Sequence, residues 1–344
     1  MKQDLDMDTV KIAVVGAGSW GTALANVLAL KGFQVDLWVY EEEVCRQILE
    51  LRENQVFLPG VKLSKNLMPS NDLLKVIREK DLLVLVVPSH FMRDVARKIA
   101  PHVSGRTVIV SASKGIENQT LLTMSGVIQE NLPDRSDQNL AVLSGPTFAR
   151  EVARQVPSVV TVAARDIEMA GWVQRIFATP YFRVYTNDDM IGVELGGAVK
   201  NVIAIASGII DGLRLGLNTR AALITRGLTE IRRLGLKLGA NPRTFIGLAG
   251  VGDLILTCTG ELSRNYTLGK KIGEGRKLKD ILSEMRMVAE GVKTAKSVYN
   301  LSRKMDVEMP ISQEIYHILY ENLSPGEALF RLMTRNLKQE LDEQ

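Results

Sequence analysis

The stretch Lys11-Ile-Ala-Val-Val-Gly-Ala-Gly-Ser-Trp-Gly21 decides the fold of this chain. Five residues, nearly all β-branched or apolar, lead straight into the glycine pattern G-x-G-x-x-G, and a helical pattern follows over residues 22–30. A strand that stops at glycines and restarts as a helix leaves unpaired N–H groups at the positive end of a helix dipole. This arrangement favours a bound diphosphate.

Each glycine of the pattern has its own expected role. Gly16 allows a tight turn, Gly18 lets the backbone approach the phosphates, and Gly21 lets helix and strand pack closely. A second apolar run, residues 34–40, follows at the distance typical of a βαβ unit. A glycine-rich turn without a ligand is the alternative, but the flanking strand and helix favour a dinucleotide site.

Length and composition restrict the class of protein. The 344 residues suggest two domains at ~100–200 residues per domain. Apolar content of 46%, charged content of 24% and interspersed charges with a net +4 are ordinary for a soluble protein, so we expect neither nucleic acid nor a membrane as partner. Cys45 and Cys258 are isolated, which suits a reducing compartment and argues against disulfides or zinc.

Targeting and membrane signals are weak. The first eight residues are acidic and lack the apolar stretch of a signal peptide. The most apolar segment, residues 190–213, contains Glu194 and Lys200 and is short of the ~18 uncharged residues of a spanning helix. We therefore expect a cytoplasmic protein.

Apolar runs alternate with helical stretches through the first half of the chain. The predicted strands are residues 9–15, 34–40, 82–87, 107–111, 140–143, 158–163 and 182–185. Continuous runs such as residues 82–87 suit strands buried on both faces, hence a parallel sheet covered by helices. Several runs end in turns, among them Ser113-Lys114-Gly115 and Ser144-Gly145-Pro146, where an open α/β sheet binds ligands.

After Asn187 the sequence predicts helices only. They cover residues 190–213, 219–235, 290–303, 311–320 and 325–340, and Ser324-Pro325-Gly326-Glu327 is a helix start signal. We predict a dinucleotide-binding domain of residues 1–187, an all-α domain of residues 188–344, and a cleft between them.

Lys200 is the most informative residue of the second half. It lies on one predicted helix face with Val193, Gly197 and Ala204. Adjacent glycines each weaken a helix by roughly 1 kcal/mol relative to Ala, so close packing against a ligand or another backbone must offset that cost. A partly desolvated Lys has a lowered pKa and can exchange a proton near neutrality. A Lys that snorkels from the core, or pairs with Glu194, is the alternative.

Two further motifs carry polar groups. Asp253, in a glycine-rich bend, is either a helix N-cap or a partner for a cation, and its residue type leaves both open. Ser263-Arg264-Asn265 offers a hydroxyl, a guanidinium and an amide, a donor set that suits a phosphate, although a solvated helix start is the alternative. His90 follows a strand and is a possible acid or base. No carboxylate or His cluster suggests a metal.

Several long motifs together resemble one family. They are Gly-Ala-Gly-Ser-Trp-Gly-Thr-Ala-Leu-Ala (16–25), Val-Pro-Ser-His (87–90), Ser-Lys-Gly (113–115), Ser-Gly-Pro-Thr-Phe-Ala (144–149), Gly-Gly-Ala-Val-Lys-Asn-Val-Ile-Ala-Ile (196–205), Gly-Asp-Leu-Ile-Leu-Thr-Cys (252–258) and Ser-Arg-Asn (263–265). From Lys11 to about residue 330 the chain resembles the bacterial-type NAD(P)-dependent glycerol-3-phosphate dehydrogenases.

The resemblance implies a Rossmann-type domain, an α-helical domain of the 6-phosphogluconate-dehydrogenase type, and a homodimer. It implies reversible reduction of dihydroxyacetone phosphate to sn-glycerol 3-phosphate, a precursor of glycerophospholipids, with Lys200 as proton donor and acceptor. Implied substrate positions are Lys114, Gly145, Thr147, Lys200, Asp253, Ser263, Arg264 and Asn265. Implied cofactor positions, beside Gly16, Gly18 and Gly21, are Ser19, Trp20, Tyr40, Lys114, Ala149, Arg264, Val288 and Glu290.

The choice of cofactor and two other functions stay open. Glu41-Glu42-Glu43 follows the second strand, and carboxylates near the ribose pocket favour NADH over NADPH. Arg46 could instead reach a 2′-phosphate, and the glutamates could be a solvated helix start. A related dehydrogenase of carboxylate substrates and a non-catalytic sensor of NAD(H) are the competing functions, although a sensor has no need of Lys200 beside a phosphate site.

Overall fold

The N-terminal half of this computed structural model is one sheet with helices on both faces; residues 9–132, 139–285 and 289–340 are described. The strands are β1 (Ile12–Val15), β2 (Val35–Trp38), β3 (Leu67–Ser70), β4 (Leu82–Leu85), β5 (Val108–Ser111), β6 (Leu140–Ser144), β7 (Ser158–Ala164) and β8 (Phe182–Asn187). Their order in space is β3-β2-β1-β4-β5-β6-β7-β8. The order reverses between β1 and β4, which is where a doubly wound sheet opens its ligand crevice.

The sheet is mixed, whereas the sequence predicts a parallel one. The strands β1 to β6 are mutually parallel, but β7 pairs antiparallel with β6 and parallel with β8. Parallel neighbours need a long crossover, usually through a full helix. Only the five-residue helix Ala149–Ala153 lies between β6 and β7, so the chain turns back beside the strand it has just left.

One strand was missed in the sequence. The segment Leu67–Ser70 forms β3 even though Pro69 cannot donate a backbone hydrogen bond. The position of β3 at the edge of the sheet explains this, because only β2 pairs with it and the opposite side needs no ladder bonds.

The helices of this half cover both faces of the sheet. They are α1 (Ser19–Leu30), α2 (Glu42–Leu51), α3 (Leu73–Ile77), α4 (Met92–Ile99), α5 (Met124–Asn131), α6 (Ala149–Ala153) and α7 (Ile167–Phe177). Residues such as Val14, Leu24 and Phe177 fill the layer on one face, and residues such as Val15, Ile99 and Val127 fill the other.

The second half is helical throughout the residues that are described. Its helices are α8 (Met190–Gly212), α9 (Gly216–Lys237), α10 (Asp253–Thr259), α11 (Arg264–Gly273), α12 (Leu278–Glu284), α13 (Glu290–Lys304), α14 (Pro310–Tyr320) and α15 (Pro325–Met333). A 3₁₀ helix (Pro242–Ile246) and a π-turn (Leu248–Gly252) precede α10. The last helix ends at Met333, not at residue 340, and Lys338 beyond it pairs with Glu308 at 2.7 Å.

Helix α8 is the centre of this helical domain. It packs against α9, α10, α11 and α13. Among the described residues it is the one helix that is long and apolar enough to cross a membrane, but its apolar window is entirely buried inside the protein. It is therefore the core helix of a folded domain, and burial explains its apolar sequence.

Candidate active site

The glycine turn after β1 has the geometry that its sequence predicts. Gly16 has φ +113°, and a Cβ there would lie 2.7 Å from the carbonyl oxygen of Val86. A Cβ on Gly21 would lie 1.9 Å from the carbonyl oxygen of Gly16, so α1 packs directly on the turn. A Cβ on Gly18, which caps α1, would meet nothing within 4 Å. The turn is thus closed on its inner side and open at the helix N-terminus, as a diphosphate site requires.

The other predicted cofactor residues of this domain surround the same edge. The Ser19 hydroxyl donates to the Phe57 carbonyl at 2.6 Å, and the buried Nε1 of Trp20 has no partner among the described residues. Tyr40 follows β2 and is 77% exposed, with its ring edge-on to Trp38. Ala149 begins α6, and Val288 lies outside the described residues.

The buried ammonium group of Lys200 is held by two side chains of α10. Its Nζ donates to Oδ1 of Asp253, and it also donates to Oγ1 of Thr257 at 2.7 Å. Asp253 is fully buried and is the first residue of α10 without capping it, so of the two interpretations of this carboxylate the cation partner is correct. Glu194 accepts from Ser125, at 2.8 Å from the backbone N–H, and does not pair with Lys200.

Lys114 approaches the same carboxylate from the other domain. It follows β5, and its Nζ donates to Oδ2 of Asp253 at 2.6 Å and to the Gly145 carbonyl at 3.4 Å. The Thr147 hydroxyl donates to that carbonyl at 3.3 Å. Residues that follow the parallel strands β5 and β6 therefore contact the buried Lys200–Asp253 ion pair of the helical domain. The site lies between the domains.

Burial controls the protonation of this cluster. Desolvation lowers the pKa of Lys200 to about 7, while the Asp253 carboxylate opposes the shift and the positive charge of Lys114 adds to it. A lysine with such a pKa is present both as ammonium and as amine near neutrality, so it can give or take a proton.

The two glycines of α8 are explained by close contacts. A Cβ on Gly196 would lie 2.3 Å from the carbonyl oxygen of Ala249, and one on Gly197 would lie 2.5 Å from the Ser144 hydroxyl. The helix therefore approaches the π-turn and the end of β6 directly. This packing offsets the helix cost of the glycines and sets the position of Lys200 one turn later.

The predicted phosphate-binding triplet begins α11. Ser263 caps the helix by accepting from the Tyr266 N–H at 3.2 Å, and buried Asn265 accepts from the Gly291 N–H at 2.9 Å. The Arg264 guanidinium has no hydrogen-bond or ion-pair partner among the described residues. Desolvation by the surrounding protein lowers its pKa, with Glu290 opposing, although part of its surface stays open to solvent.

Glu290 links the two domains on the cofactor side. It begins α13, and its Oε2 accepts from the Ser89 hydroxyl at 2.9 Å. Burial raises the pKa of this carboxyl, and the bond from Ser89 opposes the shift. The neighbouring His90 has its pKa lowered by burial and by Lys293, and its ring lies against Phe91, 4.0 Å between centroids.

Two side chains of the site were not predicted from the sequence. Thr257 lies one helical turn after Asp253, a spacing that could have indicated it, and its hydroxyl contacts Lys200. The buried Ser144 hydroxyl, beside Gly197 and Lys114, has no partner among the described residues; the sequence indicated the turn Ser144-Gly145-Pro146 as a site wall but not this hydroxyl. In the part of the chain that the structure describes, no group of His, Cys, Asp and Glu could hold a metal.

Two family models match nearly the whole chain. Residues 11–170 match the N-terminal model of NAD-dependent glycerol-3-phosphate dehydrogenase, and residues 189–330 match its C-terminal model. A relative from Syntrophobacter fumaroxidans named glycerol-3-phosphate dehydrogenase [NAD(P)+] is 57% identical over 331 residues, which cover 96% of this chain and 97% of that protein.

Solved structures agree with these matches. The crystal structure of glycerol-3-phosphate dehydrogenase from Coxiella burnetii has a TM-score of 0.91 and 40% identity, covering 95% of this chain and 99% of that one. The glycerol-3-phosphate dehydrogenase of Saccharomyces cerevisiae has a TM-score of 0.79 and 29% identity, covering 93% and 98%.

Proposed function

The chain belongs to the NAD-dependent glycerol-3-phosphate dehydrogenase family, and we propose that within it Lys200 exchanges the proton with the substrate oxygen. The enzyme is an oxidoreductase that converts dihydroxyacetone phosphate and sn-glycerol 3-phosphate into each other with NADH or NADPH. The observation that carries the proposal is the buried Lys200 Nζ, whose pKa of about 7 permits both directions of transfer.

The nicotinamide ring, when bound, supplies or accepts the hydride. In reduction, the Lys200 ammonium polarises the carbonyl oxygen and gives it a proton; in oxidation, the neutral amine takes the proton back. Asp253 and Thr257 hold Nζ in position. Lys114 neutralises the second oxygen of Asp253 and places another positive charge near the developing alkoxide.

The phosphate of the substrate is assigned to the start of α11. Arg264 offers a planar guanidinium that is free of protein partners among the described residues, and a phosphate accepts two parallel hydrogen bonds from it. Ser263 and Asn265, with Lys114, Gly145 and Thr147 across the cleft, complete the proposed substrate site. Binding energy from the phosphate, remote from the reacting carbon, orients the carbonyl group.

The dinucleotide is assigned to the turn of Gly16, Gly18 and Gly21. The open space at Gly18 supports this, and so does the unpartnered Nε1 of Trp20. The other proposed contacts are Ser19, Tyr40, Lys114, Ala149, Arg264, Val288 and Glu290. We divide the domains at residues 1–187 and 188–344; the end of β8 at Asn187 supports the division.

Location, role and assembly are also proposals. We propose that the enzyme acts in the cytoplasm and supplies glycerophospholipid synthesis. We propose a homodimer, since large apolar side chains such as Phe330 and Met333 are 68% and 76% exposed on α15. Light scattering at low protein concentration should give twice the mass of one chain; the mass of a single chain would contradict the dimer.

The substitution Lys200→Met tests the catalytic proposal, because it keeps the volume of the side chain and leaves Asp253 paired with Lys114. We expect dihydroxyacetone phosphate reduction to fall by roughly 10²–10⁴-fold, the loss typical of a missing general acid. NADH binding, followed by fluorescence, should change little. Lys237→Met, at the end of α9, is the control with normal rates. Retention of a tenth of the wild-type kcat would exclude Lys200 from proton transfer.

A further inference from the structure

A second cleft of about 560 Å³ lies between the domains, within the ~300–1,000 Å³ typical of small-molecule sites. Its walls are β7 and β8 on one side and the segment of residues 241–249 on the other. Neither Lys114, Lys200, Asp253 nor Arg264 lines it, so it is separate from the catalytic cluster.

One arginine and several hydroxyl-bearing side chains lie among the apolar residues that line this cleft. Arg243 lines it, and no described residue forms a hydrogen bond or ion pair with its guanidinium. Thr161, Tyr185 and Thr186 line the opposite wall, and the Arg183 guanidinium stacks 5.0 Å from the centre of the Tyr185 ring. The donors of one arginine, a phenol and two hydroxyls, which face each other across the cleft, match the oxygens of a phosphate group.

The Asp189 carboxylate, which contacts the cleft wall, does not neutralise Arg243. Asp189 accepts from the Gly192 N–H at 2.8 Å through Oδ1. Its Oδ2 accepts from the Asn241 N–H at 2.9 Å and from the Thr244 hydroxyl at 2.7 Å. The carboxylate is thus used to join α8 to the cleft wall, and the Arg243 charge stays available.

The cleft wall continues directly into the catalytic cluster. Leu248 and Ala249 line the cleft and begin the π-turn, and Asp253 follows that turn. The Ala249 carbonyl also packs on Gly196 of α8, the helix that carries Lys200. A ligand here would contact both domains and resist the relative motion that opens and closes a cleft during turnover.

We propose that this cleft binds a phosphate group, as free phosphate or a small phosphomonoester, and that its occupation slows turnover by holding the two domains together. Arg243 binds the phosphate bidentately, and Thr161 and Tyr185 bind it from the N-terminal domain. The restraint on the cleft wall is transmitted to Asp253 through the π-turn.

Equilibrium dialysis of radiolabelled inorganic phosphate tests binding without any need for activity. In Arg264→Gln, which weakens the catalytic phosphate site, we expect one phosphate per chain to remain. The double variant with Arg243→Gln should lose it, and the double variant with Thr161→Val should bind more weakly. No binding in Arg264→Gln, or unchanged binding in both double variants, would overturn the proposal.

Initial rates test the coupling. At saturating dihydroxyacetone phosphate and NADH, with ionic strength held constant by KCl, inorganic phosphate should lower the wild-type kcat about fivefold or more. Arg243→Gln should abolish this effect and keep the basal kcat, whereas the exposed Arg232→Gln should behave as wild type. Purely competitive inhibition in wild type would overturn the coupling.

A parallel series with ribose 5-phosphate distinguishes the two sources of the phosphate group. A phosphomonoester is identified as the ligand if Arg264→Gln binds ribose 5-phosphate more tightly than inorganic phosphate and the double variant with Arg243→Gln loses this binding. Tighter binding of the ion identifies free phosphate. Failure of both to bind would overturn the site, even if Lys200→Met confirms the catalytic proposal.

Discussion

Lys114 Nζ lies 2.6 Å from Oδ2 of Asp253, although the two residues belong to different domains. The other carboxylate oxygen, Oδ1, accepts a hydrogen bond from Lys200. One buried carboxylate therefore stands between two lysines, and its charge and that of Lys114 act on the Lys200 pKa in opposite directions.

This relationship predicts opposite shifts of the pH profile in two variants. Reduction requires the Lys200 ammonium, so kcat/KM for dihydroxyacetone phosphate should fall as pH rises through about 7. In Lys114→Met a repelling charge is absent, which raises the Lys200 pKa and moves the fall to higher pH. In Asp253→Asn the attracting charge is absent, which lowers that pKa and moves the fall to lower pH.

The measurement is kcat/KM against pH in both reaction directions. Oxidation of glycerol 3-phosphate requires the neutral amine, so its profile should rise with pH and shift in the same sense as the reduction profile in each variant. Both substitutions will also lower the maximal rate, but only a charge effect on Lys200 gives shifts of opposite sign. Shifts of the same sign, or none, would contradict the assignment.

Part of the site could be predicted because it contains residues that destabilise their own helix unless a close contact compensates for them. Adjacent glycines weaken a helix, so Gly196 and Gly197 pointed to close packing and thereby to Lys200. The role of Asp253 could not be decided from the sequence, because an aspartate serves equally as an N-cap and as an ion partner. Only the fold brings Lys114 within reach of it. Ser263 likewise caps α11 and lies in the proposed phosphate site.

The fold was predictable wherever local patterns dominate. The glycine turn and α8 were found because each shows its pattern within one short segment. The direction of β7 depends on the length of the connection from β6, and the strand at Pro69 depends on its place at the edge of the sheet. Both are properties of the tertiary structure. Thr257 was missed because its role depends on Lys200, which lies on another helix.

Arg264→Lys should weaken the use of the phosphorylated substrate, because an ammonium group cannot reproduce the two parallel bonds of guanidinium. Loss of about 1–3 kcal/mol predicts a fall in kcat/KM for dihydroxyacetone phosphate of roughly 5–150-fold. Unphosphorylated dihydroxyacetone should be nearly unaffected. Arg276→Lys, which removes a surface arginine paired with Glu284, is the control with wild-type values. Equal losses on both substrates would assign Arg264 to the cofactor or to the fold.

Alanine substitutions at two glycines of the first turn should have different effects, one on stability and the other on NADH binding. A Cβ on Gly21 would lie 1.9 Å from the Gly16 carbonyl oxygen, so Gly21→Ala should lower the free energy of unfolding by about 1–3 kcal/mol or more. A Cβ on Gly18 meets nothing within 4 Å, so Gly18→Ala should cost only the ~0.5–1 kcal/mol by which Ala is the poorer N-cap of α1, but it should raise the KM for NADH. Thermal unfolding and NADH titration separate the two effects. Normal NADH affinity in Gly18→Ala would contradict the phosphate site.

The last prediction concerns the choice between NADH and NADPH. Glu41 flanks α2, and Glu42 and Glu43 form its first turn, close after the end of β2. Glu43 forms an ion pair with Arg46, a nearby cation that could receive a 2′-phosphate. The carboxylates therefore repel a 2′-phosphate and occupy its possible partner, so we expect kcat/KM to favour NADH by about tenfold, the equivalent of ~1.4 kcal/mol.

Three variants distinguish repulsion of the 2′-phosphate by the glutamates from the pairing of Arg46 with Glu43. Glu41→Ala/Glu42→Ala should improve kcat/KM for NADPH by removing repulsion, and Glu43→Ala should improve it by releasing Arg46. Glu50→Ala, an exposed carboxylate farther along α2, is the control that should change neither cofactor. Because Glu43 is largely solvated, its ion pair with Arg46 is weak and screened by salt, so the gain in Glu43→Ala should be smaller than in the double variant. A wild-type preference for NADPH, or no gain in any variant, would show that the adenosine pocket does not reach these glutamates.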